Sequence, residues 1–71
     1  MALIASADER HEAYFENIPL SGVQLRNAAP EIPFESRFVV GAEVALEIED
    51  MFSLTGTVIL IAEPMIAIVF P

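Results

Sequence analysis

Apolar and polar residues alternate most strictly between residues 42 and 49. Val44, Leu46 and Ile48 occupy every second position, and glutamate or alanine stands at the positions between them. Because successive side chains of a β-strand point to opposite faces, this period of two predicts a strand with one buried and one solvated face. Asp50 and Met51 follow it as a predicted turn.

A hairpin with unusually apolar strands is predicted after this turn. Its first strand begins at Phe52, its turn is Ala62-Glu63-Pro64-Met65, and its last strand runs to Phe70 without a polar residue. From Val58 onward both faces of the hairpin are apolar. In large α/β proteins such strands are covered by helices on both sides, but this chain has no predicted helix of sufficient length.

The hairpin therefore predicts more apolar surface than one small core can bury. Three or four exposed aliphatic side chains form a patch of the size that marks an interface. We expect a protein partner, for example another copy of the chain, to cover it; in the alternative interpretation the N-terminal segment folds over it. The predicted interface residues are Ile59, Ile61, Ile66, Ile68 and Phe70.

Residues 1–16 differ in pattern from the rest of the chain. Ser6 and Glu9 fit a capping box, in which a hydroxyl at the helix N-cap is followed three positions later by a carboxylate. The pattern predicts a short helix over residues 7–15, although its apolar residues cluster instead of forming a stripe. An extended arm is the alternative. In either case the segment is expected to lie outside a barrel formed by residues 17–71.

The middle of the chain carries weaker strand signals. Pro19 and Gly22 predict a turn, residues 23–26 alternate as a strand, residues 27–33 predict a loop, and residues 34–40 begin another possible strand. Together the pattern predicts an all-β fold. We expect a small antiparallel barrel or sandwich of about five strands, preceded by an N-terminal arm or short helix.

Length and cysteine content strengthen the expectation of a partner. The chain has 71 residues, no cysteine and a single histidine, His11, so it cannot form disulfides, a thiolate metal site or a histidine-rich one. A domain of this size buries only ~60% of the surface of its unfolded chain. Oligomerisation or docking onto a larger protein is the remaining source of stability.

Eleven acidic residues and three arginines give the chain a net charge of −8. Such a field repels phosphate and anionic lipid headgroups, so we expect no nucleic-acid and no membrane partner. It attracts a basic partner surface or, alternatively, only keeps an apolar chain soluble. The first residues do not predict a signal peptide, and Glu63-Pro64 divides the C-terminal apolar stretch into runs too short to span a membrane. The expected location is the cytoplasm or an assembled particle such as a virion.

Candidate catalytic residues are few. His11 is the only base available to activate a serine, and its surroundings predict a surface histidine. Glu47 and Glu49 project from one strand face ~6.5–7 Å apart, a separation compatible with a carboxylate pair, but nothing in the sequence predicts a cleft around them. Arg26 and Arg37 are expected at the surface. We therefore predict no enzymatic activity, no metal or other cofactor, and no small-molecule ligand.

The stretch Asn17-Ile18-Pro19-Leu20-Ser21-Gly22-Val23-Gln24-Leu25 resembles the second signature motif of PilZ domains, small β-barrels that often bind cyclic di-GMP. Asn17 and Gly22 match the motif, whereas Pro19 stands where the family has a serine. Residues 40–46 are similar to the glycine-led strand of the family, and residues 52–70 are similar to its closing hairpin.

This resemblance covers residues 17–70 and implies a degenerate member of the family. The paired arginines that grip the dinucleotide have no counterpart, since Arg10 stands alone, and the first barrel strand that normally precedes the motif is missing or severely shortened. The resemblance implies an adaptor domain in signalling or motility that works without binding cyclic di-GMP. From the residues themselves we expect a non-enzymatic structural subunit of a multi-copy assembly, for example a virion or capsid-decorating protein, that forms a homo-oligomer or binds a protein partner.

Overall fold

Each of the six strands in the computed structural model pairs with a neighbour along both edges. The structure describes residues 2–7, 9–48 and 52–71. The strands are β1 (Ala2–Ser6), β2 (Glu9–Asn17), β3 (Gly22–Asn27), β4 (Glu43–Ile48), β5 (Phe52–Ala62) and β6 (Met65–Val69). Their order is β1-β2-β3-β6-β5-β4, and β4 pairs with β1, so the antiparallel sheet closes into a barrel. The predicted fold, a small antiparallel β-barrel, is confirmed, with six strands instead of about five.

The barrel interior is filled by alternate side chains of the strands, as the pleat requires. In β2, for example, His11 and Ala13 are buried between exposed neighbours. Residues 28–42, here called the connecting segment, link β3 to β4 and add Phe34 and Phe38 to the interior. The apolar core consists of Ala2, Ile4, Ala13, Val23, Leu25, Phe34, Phe38, Val44, Leu46, Val58, Ile66 and Ile68.

The prediction of a helix or arm outside the barrel over residues 1–16 is wrong. Residues 2–6 are β1, and the segment predicted to be helical, apart from Ala7 and Asp8, belongs to β2. Asp8 lies outside the described residues. The capping box is a local signal worth ~1 kcal/mol, whereas pairing β1 with both β2 and β4 closes the barrel and buries Ile4 completely. Two full strands therefore precede Asn17, and the first barrel strand is not missing.

The other strand predictions fare better. Residues 23–26 lie in β3, the strictly alternating segment forms β4 as far as Ile48, and the apolar hairpin is β5 and β6. Residues 34–40 do not form a strand, because Phe34–Ser36 make a 3₁₀ turn. That turn lets Phe34 reach the core, where it is fully buried. Glu49 and the turn predicted at Asp50 and Met51 lie outside the described residues.

The barrel consists of two three-stranded units with one hydrogen-bonding pattern. In β1-β2-β3 and in β4-β5-β6 the middle strand is the longest. Its N-terminal part pairs with the strand before it, and its C-terminal part pairs with the strand after it. A β-bulge interrupts both middle strands at equivalent places, between Phe15 and Asn17 in β2 and between Val58 and Leu60 in β5. Since β1 pairs antiparallel with β4 and β3 with β6, an approximate two-fold rotation relates the units.

Two cross-strand pairs mark the position of this approximate axis. Ile4 lies opposite its counterpart Leu46, and Gln24 lies opposite its counterpart Ala67. Hydrogen bonds outside the strands obey the same relation: the N–H of Asn27 donates to Pro64 O at 2.8 Å, and the N–H of its counterpart Phe70 donates to Ser21 O at 2.9 Å. The two-fold of an antiparallel strand pair is perpendicular to the sheet, so this axis exchanges the two ends of the barrel.

Gly56 occupies the corner at which the β4 and β6 pairings of β5 overlap. It lies opposite Val44 in β4, and the next residue, Thr57, pairs both with Glu43 in β4 and with Val69 in β6. A Cβ atom on Gly56 would lie 2.6 Å from Ile68 Cγ2 and 2.7 Å from the carbonyl oxygen of Val69. Corners of small barrels are typical places for glycine, because two backbones approach closely there.

Candidate interaction surface

The bulge in β5 exposes two consecutive aliphatic side chains. Val58 lies opposite Ile68 and is fully buried, Leu60 lies opposite Ala67, and Ile59 is the extra residue between them. A bulge adds a residue to one strand and shifts its alternation by one position. As a result Ile59 and Leu60 are both exposed, at 51% and 54%.

Two further exposed side chains lie next to this bulge. The N–H of Gly41 donates to Val58 O at 2.7 Å, which brings the end of the connecting segment alongside β5. Val39 and Val40, just before Gly41, are 66% and 61% exposed. We name Val39, Val40, Ile59 and Leu60 the bulge patch.

A shallow apolar hollow adjoins the bulge patch on the outer face of β5 and β6. Its volume is about 240 Å³, and it is lined by Gln24, Leu60, Ala62, Met65, Ile66 and Ala67. The small side chains of Ala62 and Ala67 leave room between Leu60 and Met65. The patch therefore borders a depression with an apolar lining.

The strands that line most of the hollow carry little charge in a strongly acidic chain. Neither β5 nor β6 contains a charged residue. The single charge on β3, Arg26, lies 3.4 Å from Glu16 on β2. Exposed carboxylates are found instead on β2, on the connecting segment and on β4, for example at Glu12, Glu35 and Glu43. The outer side of β5 and β6 is thus uncharged along both strands, with Glu63 in the turn between them, while most acidic groups lie on the rest of the barrel.

The five predicted interface residues separate into three environments. Ile59 is exposed, as expected. Ile61 and Phe70 are half-buried and pack against the core. Ile66 and Ile68 are buried, each only 1% exposed, so the prediction that they form an exposed surface is wrong. The closed barrel explains the error, because one face of β6 lines the barrel interior. The register shift at the bulge also turns Ile61 towards the core, against which it packs.

Three residues of the bulge patch were missed in the sequence. Strict alternation assigns Leu60 to the same face as Val58, and only the bulge separates the two. Val39 and Val40 were assigned to a strand. A run of five apolar residues from Val58 to Ala62 was the available signal, since it lacks the polar positions that pin a strand's register.

His11 is a core residue and not the surface residue that was predicted. Its ring is 1% exposed and lies 4.9 Å from the ring of Phe34 and 6.1 Å from that of Phe38. Its Nε2–H donates to Asn27 Oδ1 at 2.7 Å, because Oδ1 also accepts from the N–H of Ala29 at 2.8 Å. The Nδ2 group of Asn27 donates to Ile32 O at 2.9 Å. Nδ1 of His11 is buried without a partner.

This polar cluster ties the connecting segment to the barrel. Asn27 at the end of β3 holds both Ala29 and Ile32, and His11 on β2 holds Asn27. The connecting segment also receives support from the β5–β6 turn, where the Glu63 carboxylate accepts from the N–H of Glu35 at 2.9 Å. The histidine therefore serves the architecture of the barrel end, where solvent does not reach it.

The remaining predicted polar residues form ion pairs on the outer surface. Arg10 Nε donates to Glu47 Oε1 at 3.2 Å across β1, where Arg10 lies opposite Ala5 and Glu47 lies opposite Leu3. Arg37 donates to Arg10 O at 2.9 Å and lies 3.6 Å from Glu9. Glu47 is thus paired with an arginine, and its predicted companion Glu49 lies outside the described residues. In the part of the chain that the structure describes, no group of three or more His, Cys, Asp or Glu could hold a metal ion.

Comparisons with protein-family models, curated proteins and solved structures found no significant match to this chain. Within the described residues, no helix has the length and apolarity needed to cross a membrane.

Proposed function

We propose that the protein is a non-enzymatic structural subunit of a multi-copy assembly, for example a virion or its decoration, and that copies of the chain meet at the bulge patch. The observation that carries the proposal is the pair of exposed residues at the β5 bulge, Ile59 and Leu60, within the uncharged side of the barrel. Burying one such aliphatic side chain contributes ~1.5–3 kcal/mol. Four of them beside an apolar hollow suffice for the centre of a protein interface.

Charge favours another copy of the chain as the partner at this surface. Each copy carries a net charge of −8, so two copies repel each other wherever acidic surfaces meet. The neutral side formed by β5 and β6 is where two copies can approach without this repulsion. A partner recognised through its basic charge would instead find its complement on the acidic remainder of the barrel.

Replacing Leu60 or Ile59 by glutamate is expected to dissociate the assembly without unfolding the barrel. Either change places an unpaired charge in an apolar contact, and we expect the association constant to fall by about a hundredfold, or ~2.7 kcal/mol. Light scattering after gel filtration measures the mass, and circular dichroism measures the fold. Ile59 and Leu60 are tested instead of Ile61, because Ile61 packs against the core.

Tyr14→Glu is the matched control for these two variants. It adds the same charge in place of another exposed hydrophobic side chain, on β2 and outside the neutral side formed by β5 and β6. We expect it to assemble like the wild type. A wild-type chain that remains monomeric at all accessible concentrations contradicts the proposal, and so does a Leu60→Glu variant that assembles normally.

A degenerate PilZ-like adaptor domain in signalling or motility is the second candidate function. Its supporting observation is that Asn17 ends β2 and Gly22 begins β3, so the stretch resembling the family motif forms one hairpin turn of a six-stranded barrel. This candidate is expected to be a monomer that recovers a signalling or motility protein in a pull-down. Calorimetric titration with cyclic di-GMP is expected to be flat, because no paired arginines precede the turn.

A further inference from the structure

The approximate two-fold axis provides a comparison between the two ends of the barrel. At one end, here called the filled end, the connecting segment lies over His11, Asn27 and Val58. It places Phe34 against His11, bonds to Asn27 through Ala29 and Ile32, and pairs with both backbone groups of Val58 through Gly41 and Ala42 at 2.7 and 3.0 Å. His11, Asn27 and Val58 are consequently 1%, 7% and 0% exposed.

The counterparts of these residues lie at the opposite end and are far more exposed. Leu54 is the counterpart of His11 and is 39% exposed, and Phe15 is the counterpart of Val58 and is 37% exposed. Phe70, the counterpart of Asn27, is only partly buried. Among the described residues, no segment covers this end as the connecting segment covers the other.

The chemistry of the two ends also differs. The filled end binds its segment through polar side chains, since His11, Asn27 and Glu63 all take part in hydrogen bonds that hold it. The counterparts of these three are Leu54, Phe70 and Leu20, and all are apolar. Leu20 lies in the β2–β3 turn beside Phe70 and is fully exposed, at 107%, and Ile18 in the same turn is 70% exposed. We name Phe15, Ile18, Leu20, Leu54 and Phe70 the open end.

The bulge patch lies at the filled end of the barrel. Val39 and Val40 are on the connecting segment that closes the filled end, and Ile59 adjoins them through Val58. Because the two-fold axis exchanges the barrel ends, the bulge patch and the open end lie on opposite sides of one chain. The bulge patch consists of exposed side chains of the connecting segment and of the β5 bulge. The open end corresponds, by the two-fold rotation, to the surface that the connecting segment covers at the filled end.

We infer that the open end is the docking surface for the bulge patch of a second copy of the chain, so that copies associate head to tail. The inference rests on the proposed function and adds the complementary surface and the symmetry. It accounts for eight of the nine large hydrophobic side chains that are exposed among the residues whose burial the structure describes, with Tyr14 as the exception. A head-to-tail contact uses two different surfaces of each chain, and it produces a ring or a filament instead of a closed dimer.

Leu20→Glu and Leu60→Glu provide the test, because each removes one of the two complementary surfaces. Leu20 is fully exposed, so its replacement leaves the barrel intact; Leu20→Gln repeats the change without added charge. We expect each glutamate variant alone to remain monomeric, with association at least about a hundredfold weaker than in the wild type. An equimolar mixture is expected to form a dimer and nothing larger, since only one intact pair of surfaces remains.

Light scattering of the two variants and their mixture separates the possible outcomes. If Leu60→Glu is monomeric while Leu20→Glu assembles like the wild type, the bulge patch pairs with itself; the proposed function then stands and the head-to-tail inference fails. A mixture that stays monomeric also overturns the inference, because it indicates one interface containing both residues. A monomeric wild type removes the proposed function itself, which is a different result from either of these.

Discussion

Replacing Asn27 by alanine is expected to lower the free energy of unfolding by about 3 kcal/mol and the melting temperature by about 15 °C. The change removes the acceptor of His11 Nε2–H and of the Ala29 N–H, and the donor to Ile32 O. The buried His11 Nε2–H then lacks its acceptor, which costs ~1–3 kcal/mol for an unsatisfied buried group. The part-buried Ala29 N–H and Ile32 O also lose their partner. A domain of this size has a total stability of ~4–10 kcal/mol, so the loss is large. Thermal and urea unfolding followed by circular dichroism measure it.

Glu31→Ala on the connecting segment is the control for Asn27→Ala. The Glu31 side chain is exposed, and its removal is expected to change stability by no more than ~0.5 kcal/mol. Both variants and the wild type must be compared at one protein concentration, because association stabilises the folded state by mass action. Equal effects of the two substitutions would mean that the polar cluster does not hold the connecting segment in place.

Replacing Gly56 by alanine is expected to destabilise the barrel by about 2–3 kcal/mol. The new Cβ would overlap Ile68 Cγ2 and the carbonyl oxygen of Val69, at 2.6 and 2.7 Å. The Ile68 side chain could adjust at some cost in packing, but the Val69 oxygen belongs to the backbone of β6 and moves only with the strand. The strain therefore falls on the corner where the β4 and β6 pairings of β5 overlap. Urea unfolding at fixed protein concentration gives the change.

Gly41→Ala separates this steric effect from the ordinary cost of replacing a glycine. Gly41 has a φ of +96°, but a Cβ there would meet no atom within 4 Å. Alanine at that position is expected to cost ~1 kcal/mol from backbone strain alone. The prediction for Gly56 requires that Gly56→Ala lower the free energy of unfolding more than Gly41→Ala does. A larger loss at Gly41 would show that close packing of β5 against β6 is not what demands glycine at the corner.

Local alternation was sufficient to predict the strands whose one face is polar. In β4 Glu43 and Glu47 mark the outer face, and the structure buries Val44 and Leu46 on the other face as expected. The β5–β6 hairpin was also predictable, from the apolar run on each side of Glu63-Pro64. In β2, by contrast, the helix-capping pattern of Ser6 and Glu9 competed with an alternating pattern at His11 and Ala13. Only pairing across the barrel makes the second pattern the favourable one.

The interaction surface could be anticipated only in part. The surplus of apolar residues in the last hairpin was visible, but only Ile59 was correctly identified as an exposed side chain, since Ile66 and Ile68 are buried and Leu60 is exposed. An apolar run contains no polar residue to mark the outer face, so its register follows from the partner strand. The position of the bulge, and with it the exposure of Ile59 and Leu60, depends on pairing with β6.

The amino-acid sequence by itself determined the fold class, the absence of cysteine chemistry, the acidic charge and the excess of apolar residues near the C-terminus. These depend on composition and on neighbours within a few positions. Barrel closure through β1 and β4, the burial of His11 beside Asn27 and the approximate two-fold that leaves one barrel end open were decided by the tertiary structure alone. The physical reason is that each involves residues far apart in the chain, whose contact free energies outweigh local preferences only when the barrel is complete.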